Sequence, residues 1–327
     1  MKKKTIALLM VVLMMSMMFT ACGGDDTNEP TTGLTGDYIF ASGGTSGAYY
    51  PYAGAIAQAW MNEFEGLNVT VQATGASAEN INLIAKDEAD IAIVQNDTMT
   101  YAYNGTEGFA ESGAVTDFAV IGTVYSEVVQ IIARADSGIS SVADLAGKTV
   151  SVGDLGSGVE ANAKQILAAN GLTFDDLKAQ HLGFGASTEA MKDGQCDAAF
   201  ITAGIPTTAV MEYANTNDMV IVPIDQQTMD VLLNDYPYYT EFVIPADTYG
   251  NAEDITTVAV KATIIVRDDL DEDTVYTLTK SLFDNQEAIA KANSKGAELD
   301  INTAAQGIPT PLHPGAEKYY KEAGVLE

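Results

Sequence analysis

Two stretches rich in glycine and hydroxyl residues have the composition needed to bind an anionic group. The first, SGGTSG at 42–47, carries no charge and lies between a strand-like run and a helix-like run; the second, GDLGSG at 153–158, has the same setting. A helix N-terminus offers unpaired N–H groups and about half a unit of positive charge. Such a junction can hold an anion through backbone amides alone. The lysine and the spacing of a G-x-x-x-x-G-K-[ST] phosphate loop are absent.

The elements that follow these two junctions occur in the same order. Gly47 is 28 positions before Gly75 (75 − 47), and Gly158 is 27 positions before Gly185 (185 − 158). We interpret this as two similar lobes, each an alternating β/α unit with a mainly parallel sheet. After the first junction we predict a strand at 69–73, a loop at 75–77, a helix through Asp87 and a buried strand at 90–94. After the second junction we predict a helix at 159–170, followed by a run at 181–184 and a loop at 185–187. A helix through Asp193 and a strand at 197–201 complete the second unit.

These junctions predict a ligand cleft between the lobes. In open α/β sheets, ligands bind beyond the carboxyl ends of the strands, where loops lead into helices. Four such loops, two in each lobe, would converge there. The alternative is that the hydroxyl residues are helix N-caps and the glycines only turn the chain. The predicted ligand-binding residues are Gly44, Thr45, Ser46, Gly47, Tyr49, Ser77, Gln95, Asn96, Ser157, Gly158 and Ser187.

Two long β-rich runs, at 128–134 and 258–267, predict two crossovers between the lobes. They end at Arg134 and Arg267, the chain's only arginines, which favours salt bridges at the crossovers over contact with a ligand. A helix at 271–292 should pack back on the first lobe. We therefore predict that lobe I comprises 37–130 and 256–327, and that lobe II comprises 131–255.

The N-terminus resembles a bacterial lipoprotein signal. Three lysines precede an apolar run that is too short to span a membrane, and small residues lead to Cys22. The resemblance implies removal of residues 1–21, lipidation of Cys22, a flexible linker at 22–36, and an extracytoplasmic domain anchored to the outer face of the cytoplasmic membrane. The alternative is an ordinary signal peptide with an incidental cysteine. Cys196, the other cysteine, is expected to be buried and unpaired.

Charge and motif content argue against several function classes. Removing residues 1–21 deletes three lysines and no acids, which changes the net charge from −29 to −32 and disfavours nucleic acid as a partner. His181 and His313 have no second histidine or cysteine at metal-ligand spacing, so no metal or cofactor is expected. A G-x-S-x-G motif is absent around the candidate serines, and no EF-hand spacing occurs. We therefore do not expect an enzyme.

Several blocks resemble the TAXI family, the extracytoplasmic solute receptors of TRAP transporters. The similar blocks include GDLGSGVEAN, MKDGQCDAAF, YPYYTEFVIPADTYG and PLHPGAEKYYKEAG. The resemblance implies a type II periplasmic-binding-protein fold with two lobes, a small organic anion or amino acid as ligand (glutamate-like or a dicarboxylate), and delivery to the membrane subunits of a TRAP permease driven by an ion gradient. Other TRAP receptor families clamp the ligand with an arginine, whereas the two arginines of this chain are predicted in the crossover strands. The alternatives are a ligand-presenting sensory or surface-adhesion module, or the binding protein of an ABC importer.

Overall fold

The computed structural model describes residues 33–327. The predicted signal segment, Cys22 and the linker as far as residue 32 lie outside the described residues. From residue 33 onward, no helix combines the length and the apolar character that crossing a membrane requires.

Ten strands form one mixed sheet. Its order is β2-β1-β3-β10-β4-β7-β5-β6, with β8 pairing with β4 and β9 with β10. The strands are β1 (Gly36–Ala41), β2 (Leu67–Gln72), β3 (Ile91–Gln95), β4 (Phe118–Arg134), β5 (Thr149–Ser151), β6 (Lys178–Gln180), β7 (Ala198–Ala203), β8 (Met219–Val222), β9 (Thr240–Ile244) and β10 (Ile255–Arg267).

Helices cover the sheet between these strands. The α-helices of the described range are α1 (Tyr49–Glu63), α2 (Ser77–Ile84), α3 (Asn96–Asn104), α4 (Gly158–Ala169), α5 (Phe184–Lys192), α6 (Thr208–Ala214), α7 (Gln226–Asp235), α8 (Glu272–Asp284), α9 (Gln286–Ala292), α10 (Ile301–Ala304) and α11 (Pro314–Glu322). Short 3-10 helices lie at Glu107–Phe109, Ala135–Ser137, Val142–Leu145, Phe174–Asp176 and Ser294–Glu298.

The long strands β4 and β10 form the centre of the sheet. They span 17 and 13 residues and pair antiparallel, with two register shifts between them. On one side β1 pairs in parallel with β2 and β3, and on the other β5 pairs in parallel with β6 and β7. The predicted β-rich runs at 128–134 and 258–267 lie within β4 and β10, so the prediction of strands there is confirmed.

The hydrophobic interior is divided between two lobes. The first lobe buries Trp60 of α1 with Val275 of α8, and the second buries Ile166 of α4 with Phe200 of β7. Strand β4 contributes to both cores, since its Tyr125 packs in the first core and its Val129 in the second. The molecule therefore has the predicted two-lobe α/β fold. Below, the first lobe means β1–β3 with α1–α3 and α8–α11, and the second lobe means β5–β8 with α4–α7.

Two local predictions were wrong in detail. The predicted loop at 185–187 lies inside the first turns of α5, because the N-cap of that helix is Gly183. The run at 181–184 follows β6, which ends at Gln180, and leads into this helix. The predicted helix at 271–292 is two helices, because Asn285 ends α8 and begins α9.

Both arginines form ion pairs at the outer ends of the long strands. The side chain of Arg134 pairs with Asp136, two residues along the chain, at 2.9 Å. Arg267 pairs with Asp269 at 2.8 Å and lies 3.6 Å from Asp90, beside the start of β3. Arg134 thus makes a local pair rather than a link between lobes, while Arg267 ties β10 to the first lobe.

The contacts of Cys196 and His313 are those of residues with a structural role. Cys196 is buried, and its thiol lies 3.4 Å from the carbonyl of Thr149 and 3.3 Å from that of Ala198. The Nδ1 atom of His313 accepts a hydrogen bond from the Gly315 amide at the start of α11. Burial lowers the pKa of His313, which favours the neutral ring that this cap requires.

Candidate functional site

A cavity of about 260 Å³ lies between the two lobes. Segments at the N-termini of α1 and α2 line it from the first lobe, and segments at the N-termini of α4 and α5 line it from the second. Its size lies just below the usual range of about 300–1,000 Å³ for ligand pockets. The lining residues are Gly43, Gly44, Thr45, Ser46, Gly47, Ala48, Tyr49, Thr74, Gly75, Ala76, Gln95, Glu127, Asp154, Ser157, Val159, Gly183, Phe184, Gly185, Ala186, Thr202 and Ala203.

Asn80 holds the two cavity loops of the first lobe together. Its fully buried side-chain amide donates to the carbonyl of Ser42 at 2.6 Å and to that of Ile93 at 2.8 Å. Its Oδ1 atom accepts from the hydroxyl of Thr74 at 2.6 Å. A single polar side chain thereby ties the loop after β1 and the loop after β2 to the middle of β3, and these two loops lead into the N-termini of α1 and α2.

The loop before α2 contains a strained residue at the cavity wall. Ala76 has φ +72° and ψ −143°, a region that non-glycine residues rarely adopt. Its amide donates to the hydroxyl of Thr74 at 3.1 Å. Strain of this kind costs about 1–3 kcal/mol and is concentrated at ligand sites.

Seven of the eleven predicted ligand-binding residues line the cavity. Ser157 is also the N-cap of α4, where its hydroxyl accepts from the Glu160 amide at 3.2 Å, so the capping alternative holds for this serine as well. Ser46 and Gly47 belong to a tight turn that the Gly47 amide closes onto the carbonyl of Gly44 at 3.0 Å. The seven are Gly44, Thr45, Ser46, Gly47, Tyr49, Gln95 and Ser157.

The other four predicted residues are not part of the cavity lining. The hydroxyl of Ser77 accepts from the backbone amide of Gln95, and the hydroxyl of Ser187 lies 2.7 Å from that of Ser151. Asn96 lines a different cavity, and its Oδ1 atom accepts from the backbone amide of Lys261. Gly158 packs against the side chain of Gln95, so a Cβ atom there would overlap the Gln95 amide.

Sequence reasoning missed two acidic residues and a threonine of the cavity wall. Glu127 lies in the middle of β4, Thr202 in β7, and Asp154 in the loop before α4. Glu127 had a recognisable signal, because it is the one charged residue inside the apolar sequence FAVIGTVYSEVVQIIA. Burial of a charged carboxylate in such a strand is costly unless the carboxylate is paired and hydrogen-bonded, so its presence there signals a specific role.

Burial dominates the electrostatics of the two acids. It raises the pKa of Glu127 to about 8, although Tyr125 and Lys295 favour the charged form. Burial and the nearby charge of Glu79 raise the pKa of Asp154. No lysine or arginine is among the described residues that line the cavity.

Hydrogen bonds join the two lobes directly around the cavity. Ser46 of the first lobe accepts from the amide of Gly185 through its hydroxyl, at 3.1 Å, and from the amide of Ala209 through its carbonyl, at 3.2 Å. Farther from the cavity, the Gln165 amide donates to the hydroxyl of Tyr101 at 2.9 Å. The two lobes are therefore in contact beside the cavity.

The sequence also matches a family model over most of its length. The description of that model is "NMT1-like family", and the match covers residues 40–324. The chain belongs to the NMT1-like family. The matched range includes the whole cavity and all but the first residues of the first lobe of this NMT1-like protein.

Solved structures with the same fold include proteins of low sequence identity. The periplasmic aliphatic sulphonate binding protein SsuA from Escherichia coli is 14% identical, with a TM-score of 0.51, over 88% of this chain and 84% of that chain. A putative L-cystine ABC transporter protein from Listeria monocytogenes is 13% identical, with a TM-score of 0.51, over 82% and 98%. A third structure concerns glutathione import via GshT and the cystine ABC importer TcyBC of Streptococcus mutans. It is 15% identical, with a TM-score of 0.52, over 82% of this chain and 98% of that chain. These similarities confirm the type II periplasmic-binding-protein fold.

Proposed function

We propose that this NMT1-like protein is an extracytoplasmic solute-binding protein that captures a small organic anion or amino acid between its lobes. One observation carries the proposal: segments at the N-termini of four helices, two from each lobe, line a single cavity. Each N-terminus provides N–H groups without an intrahelical partner and a partial positive charge. A carboxylate in the cavity would be bound by these groups and by the hydroxyls of Thr45, Ser46 and Ser157.

The composition of the cavity supports binding rather than catalysis. Cys196 and both histidines lie outside its lining. Among residues 33–327, no group of three or more histidine, cysteine or acidic residues is arranged to hold a metal ion. The lining serines have no histidine beside them that would act as a general base in the described cavity wall.

The transport partner is proposed from the resemblance to the TAXI family. That resemblance favours the membrane subunits of a TRAP permease. Proteins of the same fold are named for aliphatic sulphonate binding and for the ABC transport of cystine, which keeps an ABC importer as the alternative. Uptake of the ligand by cells separates the two, because a TRAP permease would stop working when an ionophore dissipates the ion gradient at unchanged ATP.

We further propose that Cys22 carries a lipid anchor and that ligand binding closes the lobes. The proposed lobes are 37–130 with 256–327, and 131–255, so both boundaries fall in or beside β4 and β10. An open form would present only half of the ligand's contacts, and binding must therefore favour closure. The hinge would lie in the central strands.

Small-angle scattering with and without added solutes tests the binding function. We expect a carboxylate or amino acid from a solute panel to decrease the radius of gyration and to raise the melting temperature with concentration. Gly158→Leu should prevent the decrease, because the new side chain would overlap Gln95 of the other lobe. Gly54→Leu is the matched control, since a Cβ at Gly54 of α1 meets nothing within 4 Å. A panel that leaves both the scattering and the melting temperature unchanged would overturn the proposal.

A further inference from the structure

Three buried oxygen atoms at the cavity wall have no hydrogen-bond partner among the described residues. They are the hydroxyl of Tyr49, the Oε1 atom of Glu127 and the hydroxyl of Thr202. Their side chains belong to residues that are only 7%, 2% and 3% exposed, respectively. Buried polar atoms are nearly always paired in folded proteins, so an unpaired group calls for a specific explanation. Since all three residues line the cavity, a bound molecule is the natural partner.

The register of the sheet places two of these atoms on the same face. Val129 of β4 pairs with Thr202 of β7, and Glu127 lies two residues before Val129. Side chains two residues apart on a strand share a face, and diagonal neighbours on adjacent strands are within reach of a long side chain. Tyr49 approaches from the start of α1, and its pKa is raised by burial and by the negative charge of Glu127.

We infer that Glu127, with the hydroxyls of Tyr49 and Thr202, binds an ammonium group of the ligand, which makes the ligand an amino acid. This inference rests on the proposed binding function and names the ligand class of that same cavity. An ammonium group has three N–H donors and no acceptor, which matches three unpaired oxygen atoms. A hydrogen bond between an ammonium and a carboxylate is charge-assisted and is about twice as strong as a neutral one.

Other groups of the cavity suit the carboxylate of the same ligand. The helix N-termini and the hydroxyls of Thr45, Ser46 and Ser157 are donors, and the acids Glu127 and Asp154 are the charged residues of the described lining. The cavity thus offers both donor groups and acidic groups to one ligand. A zwitterion complements both kinds of group, whereas a dicarboxylate would bring a second negative charge to the acids.

The nearest cation is already paired. Lys295 donates to Glu298 at 2.5 Å and lies 6.0 Å above the ring of Tyr125. The groups that act on Glu127 are Lys295, Tyr125 and the backbone of Gly204, which favour its charged form, and Glu298, which opposes it. Because Glu298 offsets the charge of Lys295, Glu127 can accept a further cation from the ligand.

The sign of the pH dependence separates an ammonium from a carboxylate ligand. Burial raises the pKa of Glu127 to about 8, so the side chain of the free protein is mostly protonated at neutral pH. An ammonium requires the carboxylate, and its affinity should rise up to about tenfold per pH unit between about pH 6 and 8, with release of a proton. A ligand carboxylate would instead accept a hydrogen bond from protonated Glu127, so its affinity would fall as the pH rises over the same interval.

Calorimetry with a panel of amino acids and other organic acids tests the inference. The panel contains the common L-amino acids, each with its analogue lacking the amino group, and a set of dicarboxylates and sulphonates. We expect binding of at least one amino acid, at least tenfold weaker binding of its analogue, and affinity that rises from about pH 6 to 8. Glu127→Gln should lower the affinity at least tenfold and remove the pH dependence. Glu212→Gln, on the exposed surface of α6, is the matched control and should change neither.

A second variant covers the case in which Glu127→Gln does not fold. Thr202→Val keeps the shape of the side chain, removes one of the three oxygens, and should weaken binding of the amino acid but not of its analogue. The inference is wrong if an analogue or a dicarboxylate binds as tightly as every amino acid, if the affinity falls as the pH rises, or if Glu127→Gln binds like the wild type. Each of these results would leave the binding function standing, whereas a protein that binds no member of the panel would overturn both.

Discussion

Gln95 and Asn162 are joined across the two lobes by a hydrogen bond of 2.8 Å. Gln95 ends β3 in the first lobe, and Asn162 lies in α4 of the second. The amide of Asn162 also donates to Asp97 and to the hydroxyl of Tyr239, each at 2.8 Å. All these side chains are buried, so the contact is a connected polar network at the junction of the lobes. Such a network stabilises the closed arrangement only while every member stays paired.

Asn162→Ala should loosen the junction between the lobes. The change leaves the Gln95 amide without its partner and removes a donor from Asp97, so we expect the free energy of unfolding to fall by about 1–3 kcal/mol. Chemical denaturation measures this change. The control is Gln58→Ala, which removes one exposed hydrogen bond within α1 and should have little effect. Equal stability of the two variants would show that the network does not hold the lobes together.

Glu127 should make the ligand-free protein less stable as the pH rises. Its pKa is about 8 in the folded protein and about 4.5 in the unfolded chain, so only the folded protein binds this proton in between. The contribution of this group to the free energy of unfolding therefore falls as the pH rises through that window and is constant above it. Asp97, whose pKa burial raises to about 6, acts in the same direction.

Comparison with Glu127→Gln isolates this effect from the titration of the other acidic residues. The stability of the variant relative to wild type should increase from about pH 5 to 8, since the variant has no proton to lose at this position. Denaturant melts at several pH values measure the difference. A difference that stays constant over the interval would mean that Glu127 is ionised in the folded protein throughout.

Cys22→Ala should release the protein from membranes. If Cys22 carries the proposed lipid, its loss moves the protein to the soluble fraction without changing the melting temperature of the domain. Cys196→Ala is the matched control, because Cys196 is buried in the second lobe and should leave the protein on the membrane. Fractionation of cells followed by immunoblotting measures the distribution. Retention of Cys22→Ala on the membrane would exclude the lipoprotein proposal.

The sequence was sufficient for the elements whose signals are local. The β-branched runs around Val129 and Ile264 predicted the two central strands, and the glycine–serine junctions predicted where α1 and α4 begin. The prediction failed at the start of α5. The N-cap of α5 is Gly183, which makes no side-chain cap, so the run at 185–187 looked like a loop although it is helical.

The parts of the site that the sequence did not show depend on long-range pairing. Glu127 reaches the cavity because β4 passes from one lobe to the other and pairs with β7, whose residues lie 65 (198 − 133) to 75 (203 − 128) positions later in the chain. The contact between Gln95 and Asn162 joins residues 67 positions apart and exists only when the lobes touch. Neither relationship has a periodicity or a motif that a single sequence displays.

Native mass spectrometry of three proteins tests the central claim that the cavity between the lobes binds the ligand. The proteins are the wild type, Gly44→Phe and the control Gly54→Phe. Gly44→Phe would place a ring into the cavity, at a position where a Cβ meets nothing within 4 Å. A Cβ at Gly54 of α1 has the same free space. With the solute that raises the melting temperature of the wild type, we predict a bound mass in the wild type and in Gly54→Phe and none in Gly44→Phe. An equally abundant bound mass in all three proteins would contradict the account, because the solute would then bind somewhere else.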